Sequence, residues 1–200
     1  IDEQAFRADR VKTRFYGEML VPAQGQFLQQ TKVAGKEDPE LAAAEIATWV
    51  AENLAPERTY LIGPGSTTAA ITQELGLQTT LLGVDVIRNG ALLASDADEQ
   101  SLLALVDEAP GEVEIIVTAI GGQGHIFGRG NQQLSPAVIR HVGISNVTVV
   151  AAKSKISGLQ GRPLLADTND PELDAALQGY RVVITGYDDQ ILYRVGVPWE

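Results

Sequence analysis

Residues 59–75 read TYLIGPGSTTAAITQEL, and this stretch decides the fold. A short apolar run ends in two glycines and three hydroxyl residues, and a helical pattern begins directly after them. This order is typical of a buried strand that is followed by a helix at the edge of a sheet. The sequence therefore predicts a strand at Tyr60–Ile62, a glycine loop, and a helix at Thr67–Leu75 that Gly76 closes.

The same alternation of strands and helices continues along the chain. Asn89-Gly90 is a strong hairpin turn, and the apolar run Val113–Ile120 is typical of a strand buried on both faces. The further predicted elements are strands at Thr80–Ile87 and Val147–Ala151, helices at Asp98–Glu108, Ser135–His141 and Pro171–Leu177, and a closing hairpin of Tyr180–Thr185 with Ile191–Val195. We therefore predict an α/β fold with a mostly parallel, Rossmann-like sheet, helices on both faces and a C-terminal hairpin.

The N-terminal part has a different pattern. Val11–Val21 partly alternates and predicts a β arm, and Gln24–Lys36 is polar and predicts a loop. Asp38-Pro39 then begins a helix that ends before Pro56. We expect an arm or linker at residues 1–37 and an α/β domain at 38–200. Because the chain begins IDEQAFRADR without Met, we also expect it to be part of a longer protein.

Composition limits the function. The net charge of −11 and the pI of about 4.6 argue against nucleic-acid and anionic-membrane partners, which select basic faces. A small anionic ligand remains compatible, since a local nest of N–H groups can bind it. The absence of cysteine excludes thiolate catalysis and cysteine-based metal sites. With no signal segment and no long apolar run, we expect a cytoplasmic protein.

The first candidate site is the loop at residues 63–68, GPGSTT. The helix after a strand points its free N–H groups outward at the sheet edge, where they attract an anion. Glycines allow close approach of the backbone, and the hydroxyls add hydrogen bonds to phosphate oxygens. The alternative is that Ser66 only caps its helix. The predicted phosphate-binding residues are Gly63, Gly65, Ser66, Thr67 and Thr68.

The second candidate site is the loop at residues 121–136, GGQGHIFGRGNQQLSP. It follows another buried strand, so it should open at the same edge of the sheet. Long ordered loops are usually functional, although a long tight turn with a capping histidine is the alternative. Arginine supplies a forked cation, histidine a titratable donor, and the amides suit hydroxyls or a base edge. The predicted binding residues are Gly121, Gly122, Gln123, Gly124, His125, Gly128, Arg129, Gly130, Asn131 and Gln132.

Other charged residues are weaker candidates. Asp85 would place a carboxylate near the same edge, where it could be a base, a metal ligand, a ribose hydroxyl acceptor or a structural group. Asp96 and Asp98 are expected to cap the next helix. Lys153 and Lys155 follow a strand and could reach phosphate, but we interpret them as ordinary solvated lysines. The two histidines do not form a metal site, so we predict none and assign no catalytic residue.

Two resemblances follow from these motifs. The stretch AAAEIATWVAENLAPERTYLIGPGSTTAAITQELG is similar to the opening of ribose-5-phosphate isomerases, in which a phosphate loop also joins a strand to a helix. This resemblance implies an isomerase-like topology and phosphate binding. The catalytic carboxylate and lysine signatures of those isomerases are not recognisable in this chain.

The second resemblance spans nearly the whole chain. The segments IDEQAFR, YLIGPGSTTAAI, TLLGVDVIRNGALLASD, VTAIGGQGHIFGRGNQQLSP and RVVITGYDD, in this order, resemble the C-terminal part of the predicted ATP-NAD kinase family, which includes the acetoin-operon X proteins. In that family an N-terminal domain carries a GGDGT loop, whose aspartate is the base on the ribose 2′-hydroxyl. No GGDGT occurs here, and the glutamine of GGQG at 121–124 cannot accept that proton.

The kinase resemblance implies a function for the full-length protein. It implies phosphoryl transfer from ATP or polyphosphate to NAD, with Mg²⁺ bridging the phosphates and the base in an N-terminal domain outside this chain, which alone would be inactive. It also implies nucleotide contacts from both loops and a homo-oligomer. The alternatives are a sugar-phosphate or nucleotide binding module without chemistry, and an isomerase-like enzyme with Asp85 as its base.

Overall fold

The computed structural model describes residues 38–109, 112–120 and 122–196. The predicted arm at Val11–Val21 and the predicted loop at Gln24–Lys36 lie outside the described residues, as does Gly121 of the second candidate loop. The boundary between an arm at 1–37 and a domain at 38–200 therefore stays a prediction. The part from Pro39 onward forms one compact unit.

Helices and strands alternate along the described residues much as the sequence predicts. The helices are α1 Pro39–Asn53, α2 Ser66–Glu74, α3 Glu99–Glu108, α4 Pro136–Val142, α5 Lys153–Gly158 and α6 Pro171–Leu177. The strands are β1 Thr59–Ile62, β2 Asp85–Arg88, β3 Ala91–Ala94, β4 Val113–Thr118, β5 His125–Phe127, β6 Val147–Val150, β7 Leu164–Ala166, β8 Gly179–Gly186 and β9 Asp189–Gly196. A short 3₁₀ turn, Ile144–Asn146, precedes β6.

The strands form one sheet in the order β3-β2-β1-β4-β6-β8-β9-β7-β5. β1, β4, β6 and β8 lie parallel in its middle. β2 and β3 continue it antiparallel beyond β1, whereas β9 pairs antiparallel with β8 and then parallel with β7. The prediction of an α/β fold with a mostly parallel sheet is thus confirmed.

The sheet also curls back on itself. Ile120, just beyond β4, forms an antiparallel bridge with His125, at the start of the edge strand β5. The strands β4, β6, β8, β9, β7 and β5 therefore follow one another around a nearly closed path. Inside it, Phe127 and Leu164 are fully buried. The closure brings the residues after β4 against β5, so the second candidate loop is held at both ends.

Helices cover both faces of the sheet. Successive side chains of a strand point to opposite faces, and in the central strands the side chains on both faces are buried. Leu61 of β1 and Ile115 of β4 join the cluster that α3, α4, α5 and α6 complete. Tyr60 of β1 and Ile116 of β4 join the opposite cluster, to which α1 and α2 contribute. Burial on both faces explains why β1 and β4 are nearly continuous apolar runs.

Local signals explain several element boundaries. α1 begins at Pro39, as predicted. Ser135 and Asp170 accept hydrogen bonds from Val138 N and Leu173 N, and so cap α4 and α6. The Asn89-Gly90 turn has φ values of 50° and 68°, which suit a two-residue hairpin between β2 and β3.

Two predicted elements differ from those observed. The strand predicted at Thr80–Ile87 begins only at Asp85, because the Asp85 carboxylate accepts from Thr80 N at 3.1 Å and folds the preceding residues into a turn. The second candidate loop, predicted at residues 121–136, contains the buried strand β5, His125–Phe127. Three apolar or aromatic residues between glycines gave too short a pattern to predict that strand.

None of the helices in the described ranges has both the length and the apolar character needed to cross a bilayer.

Candidate functional site

The carboxyl ends of the central parallel strands meet at one edge of the sheet. Ile62 of β1 pairs with Ile116 of β4, and Thr118 of β4 pairs with Val150 of β6. Asp85 pairs with Ile62 because β2 runs antiparallel and begins where β1 ends. The first candidate loop, Asp85 and the start of α5 therefore share this edge, as the sequence predicts for parallel strands.

The first loop leaves the N-terminus of α2 uncapped. Gly65 is its N-cap residue, with φ 134° and ψ 156°, and no side chain among the described residues accepts from the helix amides there. The first backbone bond of the turn runs from Ala69 N to Gly65 O, at 2.9 Å. The amides of the three residues before Ala69 thus make no such bond, which is the arrangement that binds an oxyanion.

The hydroxyl residues of this loop have three different environments. Ser66 is exposed and is the first helical residue, so the alternative in which it caps the helix is wrong. Thr68 is buried and donates from Oγ1 to Gly65 O at 2.9 Å, which stabilises the turn. Thr67 is buried, and its hydroxyl accepts from the ammonium group of Lys155 at 3.0 Å.

The prediction that Lys155 is an ordinary solvated lysine is wrong. Its Nζ lies 3.0 Å from Thr67 Oγ1 and 3.5 Å from Thr118 Oγ1, and its burial lowers its pKa from the usual 10.5. The solvated interpretation holds better for Lys153, which is about half exposed and pairs with Asp189 at 2.5 Å. No local signal separates the two lysines in AAKSKISGL, since the contact to Thr67 depends on tertiary structure.

Glycines in both candidate loops allow close packing. A Cβ atom on Gly65 would lie 2.5 Å from Thr118 Cγ2, and one on Gly128 would lie 1.6 Å from the Asp167 carbonyl oxygen. A Cβ atom on Gly63 would lie 3.6 Å from Leu134 Cδ1. Since Leu134 ends the second loop, the two loops adjoin at this point.

Polar residues of the second loop divide into structural and exposed ones. Asn131 is buried, accepts from Gly128 N at 3.1 Å and donates to Ile126 O at 2.8 Å, so its amide holds the turn. Gln132 is exposed and donates to Gly128 O at 3.5 Å. The side chains left exposed toward solvent are those of Gln123 and Arg129, beside the exposed glycines Gly122 and Gly130.

His125 is buried in β5 with only 3% of its surface exposed. Its Nδ1 atom has no hydrogen-bond partner among the described residues. Burial, and after it the charge of Arg129, lowers the pKa of the imidazole below 6.5, and Asp167 opposes this in part. The neighbouring Gly124 has φ 79°, and its Cβ position lies 2.8 Å from Leu159. The ring is therefore neutral near pH 7, and one polar atom is available for a ligand or a water molecule.

Asp85 has its carboxylate engaged by the surrounding loops. It is 2% exposed and accepts from Thr80 N, Ser95 Oγ and Asp96 N, each at 3.1 Å. Asp96 therefore belongs to this network and is not a helix cap, whereas Asp98 caps α3 through Ser101 N. The contacts favour the structural role for Asp85 over the role of a base or metal ligand.

The described ranges contain no group of three or more His, Cys, Asp or Glu side chains that could hold a metal ion. Since Mg²⁺ in phosphoryl-transfer sites is usually held by one or two carboxylates together with substrate phosphates, this does not exclude the metal that the resemblance implies. At this edge the Asp85 carboxylate is already engaged in hydrogen bonds, and the Asp189 carboxylate pairs with Lys153. The described residues therefore do not fit a preformed magnesium site, and we derive no step through one.

Comparison with known proteins agrees with this topology. The family model described as ATP-NAD kinase C-terminal domain matches residues 55–195, which include both candidate loops, Asp85 and Lys155. Comparisons with curated proteins and with solved structures gave no match. Because the matched region spans more than half of the 200 residues, the chain belongs to the family of ATP-NAD kinase C-terminal domains.

Proposed function

We propose that this domain holds phosphate groups of ATP or polyphosphate and of NAD in an NAD kinase-like phosphotransferase. The family implies NAD and ATP as substrates. The observation that carries the proposal is the uncapped N-terminus of α2 behind Gly65, next to the ammonium group of Lys155. Free amides and a nearby cation together favour a phosphate over water, because both act on the same negative charge.

The two loops would bind different groups of the ligands. The amides of Ser66–Thr68 would bind a phosphate group, and Gly63 and Gly65 would let it approach the backbone. Arg129, exposed on the second loop, would bind a further phosphate or a ribose, and His125 Nδ1 would bind a polar group of the nucleotide. The base that deprotonates the ribose 2′-hydroxyl would come from an N-terminal domain with a GGDGT loop, outside this chain.

Magnesium and the cellular location remain part of the proposal. Mg²⁺ would arrive with the nucleotide rather than occupy a site formed by the described residues, and the chemistry that it would supply is neutralisation of phosphate charge. A cytoplasmic location is a prediction from composition alone.

A homo-oligomer is also proposed, and an exposed sheet face supports it. Val182 of β8 pairs with Leu192 of β9, and the two side chains are 53% and 64% exposed. Tyr180, two residues along the same face, is 70% exposed. Such an apolar strip is unusual on an isolated subunit and suits contact with a second copy. Analytical ultracentrifugation of wild type and Leu192→Asp tests this, and an unchanged mass would contradict it.

Thermal shift experiments test the phosphate site. We expect ATP, NAD, NADP or tripolyphosphate to raise the Tm of the wild-type chain, since a ligand of the folded state stabilises it by RT ln(1 + [L]/Kd). The shift should be lost in Gly65→Val and reduced in Arg129→Ala. Arg88→Ala is the matched control, because Arg88 pairs with Thr59 at the opposite end of β1. No response of the wild type to any of these ligands would contradict the proposal.

The second candidate function is a sugar-phosphate binding module, which the isomerase-like strand, loop and helix order favours. Ribose 5-phosphate in the same experiment separates the two functions. A response to ribose 5-phosphate alone, with none to ATP or NAD, would favour the module. The isomerase with Asp85 as base has less support, because three hydrogen bonds already engage that carboxylate.

A further inference from the structure

Lys155 reaches the phosphate loop from a different part of the chain. It lies in α5, which follows β6, and its ammonium group contacts Thr67 in α2 and Thr118 at the end of β4. Three elements that are distant in sequence therefore converge on one nitrogen atom. The contact to Thr67 spans 88 residues and places the ammonium beside the second residue of α2.

The ammonium group has no counter-charge among the described residues. Its hydrogen-bond acceptors among the described residues are two neutral hydroxyls, and burial lowers its pKa. Within residues 38–109, 112–120 and 122–196, no carboxylate raises that pKa. Lysines that lose solvent are normally paired with an acidic group, because an unpaired ammonium loses hydration without compensation. The nearby Lys153 has such a partner in Asp189.

We propose that Lys155 is a direct ligand of a phosphate group bound at the N-terminus of α2. The hydroxyls of Thr67 and Thr118 hold the ammonium within reach, and the phosphate supplies the negative charge that the protein does not. The ligand class is a phosphoryl group with at least one free oxyanion, either of a nucleotide or of inorganic polyphosphate. This inference rests on the proposed function, and it adds the cation that the glycine loop itself lacks.

The geometry also explains why hydroxyl residues occupy these positions. A threonine at the second position of α2 can accept from the lysine while its own amide faces the ligand. Thr118 offers a second acceptor on the other side of the ammonium group, and its methyl group packs on Gly65. A carboxylate at either position would pair with the lysine and repel a phosphate.

Isothermal titration calorimetry with ATP and with inorganic tripolyphosphate tests this on the full chain. We expect Lys155→Met to weaken binding at least about tenfold, as expected when a charged hydrogen bond is lost, and Lys155→Arg to retain part of the affinity. Lys153→Met is the matched control, two residues away in the same helix, and should change affinity less than about twofold. If only one of the two probes depends on Lys155, that probe identifies the source of the phosphate.

If Lys155→Met does not fold, a measurement on the wild type alone still tests the inference. Acetylation of lysines, read by mass spectrometry, should slow at Lys155 when ATP or tripolyphosphate is bound and stay unchanged at Lys153. Two results would overturn this inference and leave the proposed function standing. One is that wild type and Lys155→Met bind with equal affinity, and the other is that wild type binds but the acetylation of Lys155 does not slow. A wild type that binds neither probe would overturn both.

Discussion

Gly65 and Thr118 are packed so closely that a Cβ atom on residue 65 would lie 2.5 Å from Thr118 Cγ2. This contact joins the phosphate loop to the end of β4. It places the N-terminus of α2 beside the hydroxyl that Lys155 contacts. The position of the three amides therefore depends on a residue without a side chain, at a φ of 134° that other residues rarely adopt.

Replacing Gly65 by alanine should destabilise the chain and displace the loop. The methyl group would meet Thr118, and the backbone would be strained as well, so we expect a loss of about 2–4 kcal/mol in urea unfolding. Gly76→Ala is the control, because Gly76 also has positive φ, 72°, but has no atom within 4 Å of its Cβ position. That variant should lose only about 1–2 kcal/mol. Equal losses would show that the contact to Thr118 is unimportant.

Substitution by alanine should destabilise the chain more at Gly128 than at the nearby Gly130. Both have positive φ, 88° and 74°, but a Cβ atom on Gly128 would lie 1.6 Å from the Asp167 carbonyl oxygen, and one on Gly130 no closer than 3.6 Å to Ile120. Gly128→Ala must move the backbone of the loop or of residue 167. We expect it to lose several kcal/mol, and Gly130→Ala about 1–2 kcal/mol. Urea unfolding monitored by circular dichroism measures both, and similar curves would contradict the packing described here.

Much of the fold could be predicted from local chemistry. Helices begin at Pro39, Pro136 and Pro171 as predicted, because proline suits the first helical position, and Ser135 and Asp170 also cap the latter two. The Asn89-Gly90 hairpin and the β8–β9 hairpin were predicted for similar local reasons. These caps, prolines and turns act on residues that are close in sequence, so their effect does not depend on how the sheet is assembled.

The rest depended on contacts that only the folded chain creates. The strand predicted at Thr80–Ile87 is shorter because Asp85 accepts from Thr80 N, and Ser95 and Asp96, ten or more residues away, hold the same carboxylate. β5 was missed because three residues are too few to show a strand pattern. The strand is stabilised by backbone pairing with Leu165 and Ile120, which lie elsewhere in the sequence. Lys155 was interpreted as solvated because nothing in its own segment reveals Thr67. The first loop and Asp85 lie at the edge of the sheet where the strand order predicts them.

Asp85→Asn separates the structural role of this residue from a chemical one. An amide group cannot accept from all the donors around the carboxylate, so we expect a loss of about 1–3 kcal/mol of stability. Asp98→Asn is the control, because asparagine caps a helix about as well as aspartate does. Urea unfolding gives the stability, and calorimetry with ATP gives the affinity. An Asp85→Asn chain of unchanged stability that no longer bound ATP would instead support a functional role for Asp85.

His125 should make the stability of the chain depend on pH in the mildly acidic range. In the unfolded chain the imidazole titrates near 6.5, whereas burial and then Arg129 lower its pKa in the folded chain. Between these two values the unfolded state binds a proton that the folded state does not, so the free energy of unfolding falls as pH drops below about 6.5. The carboxyl groups of Asp98, Asp170 and Asp189, whose pKa values are lowered from 3.8, act only at lower pH.

Urea unfolding between about pH 7.5 and about pH 5 measures this dependence. In His125→Leu the decrease in stability over that range should become smaller, because the titrating ring is gone, whatever the stability of the variant at neutral pH. His141→Gln is the control, since His141 is 43% exposed in α4 and lies 3.4 Å from Asp107. That variant should keep the slope that comes from His125. A wild type whose stability is constant over this range, or a His125→Leu chain with an unaltered slope, would mean that folding does not lower the pKa of His125.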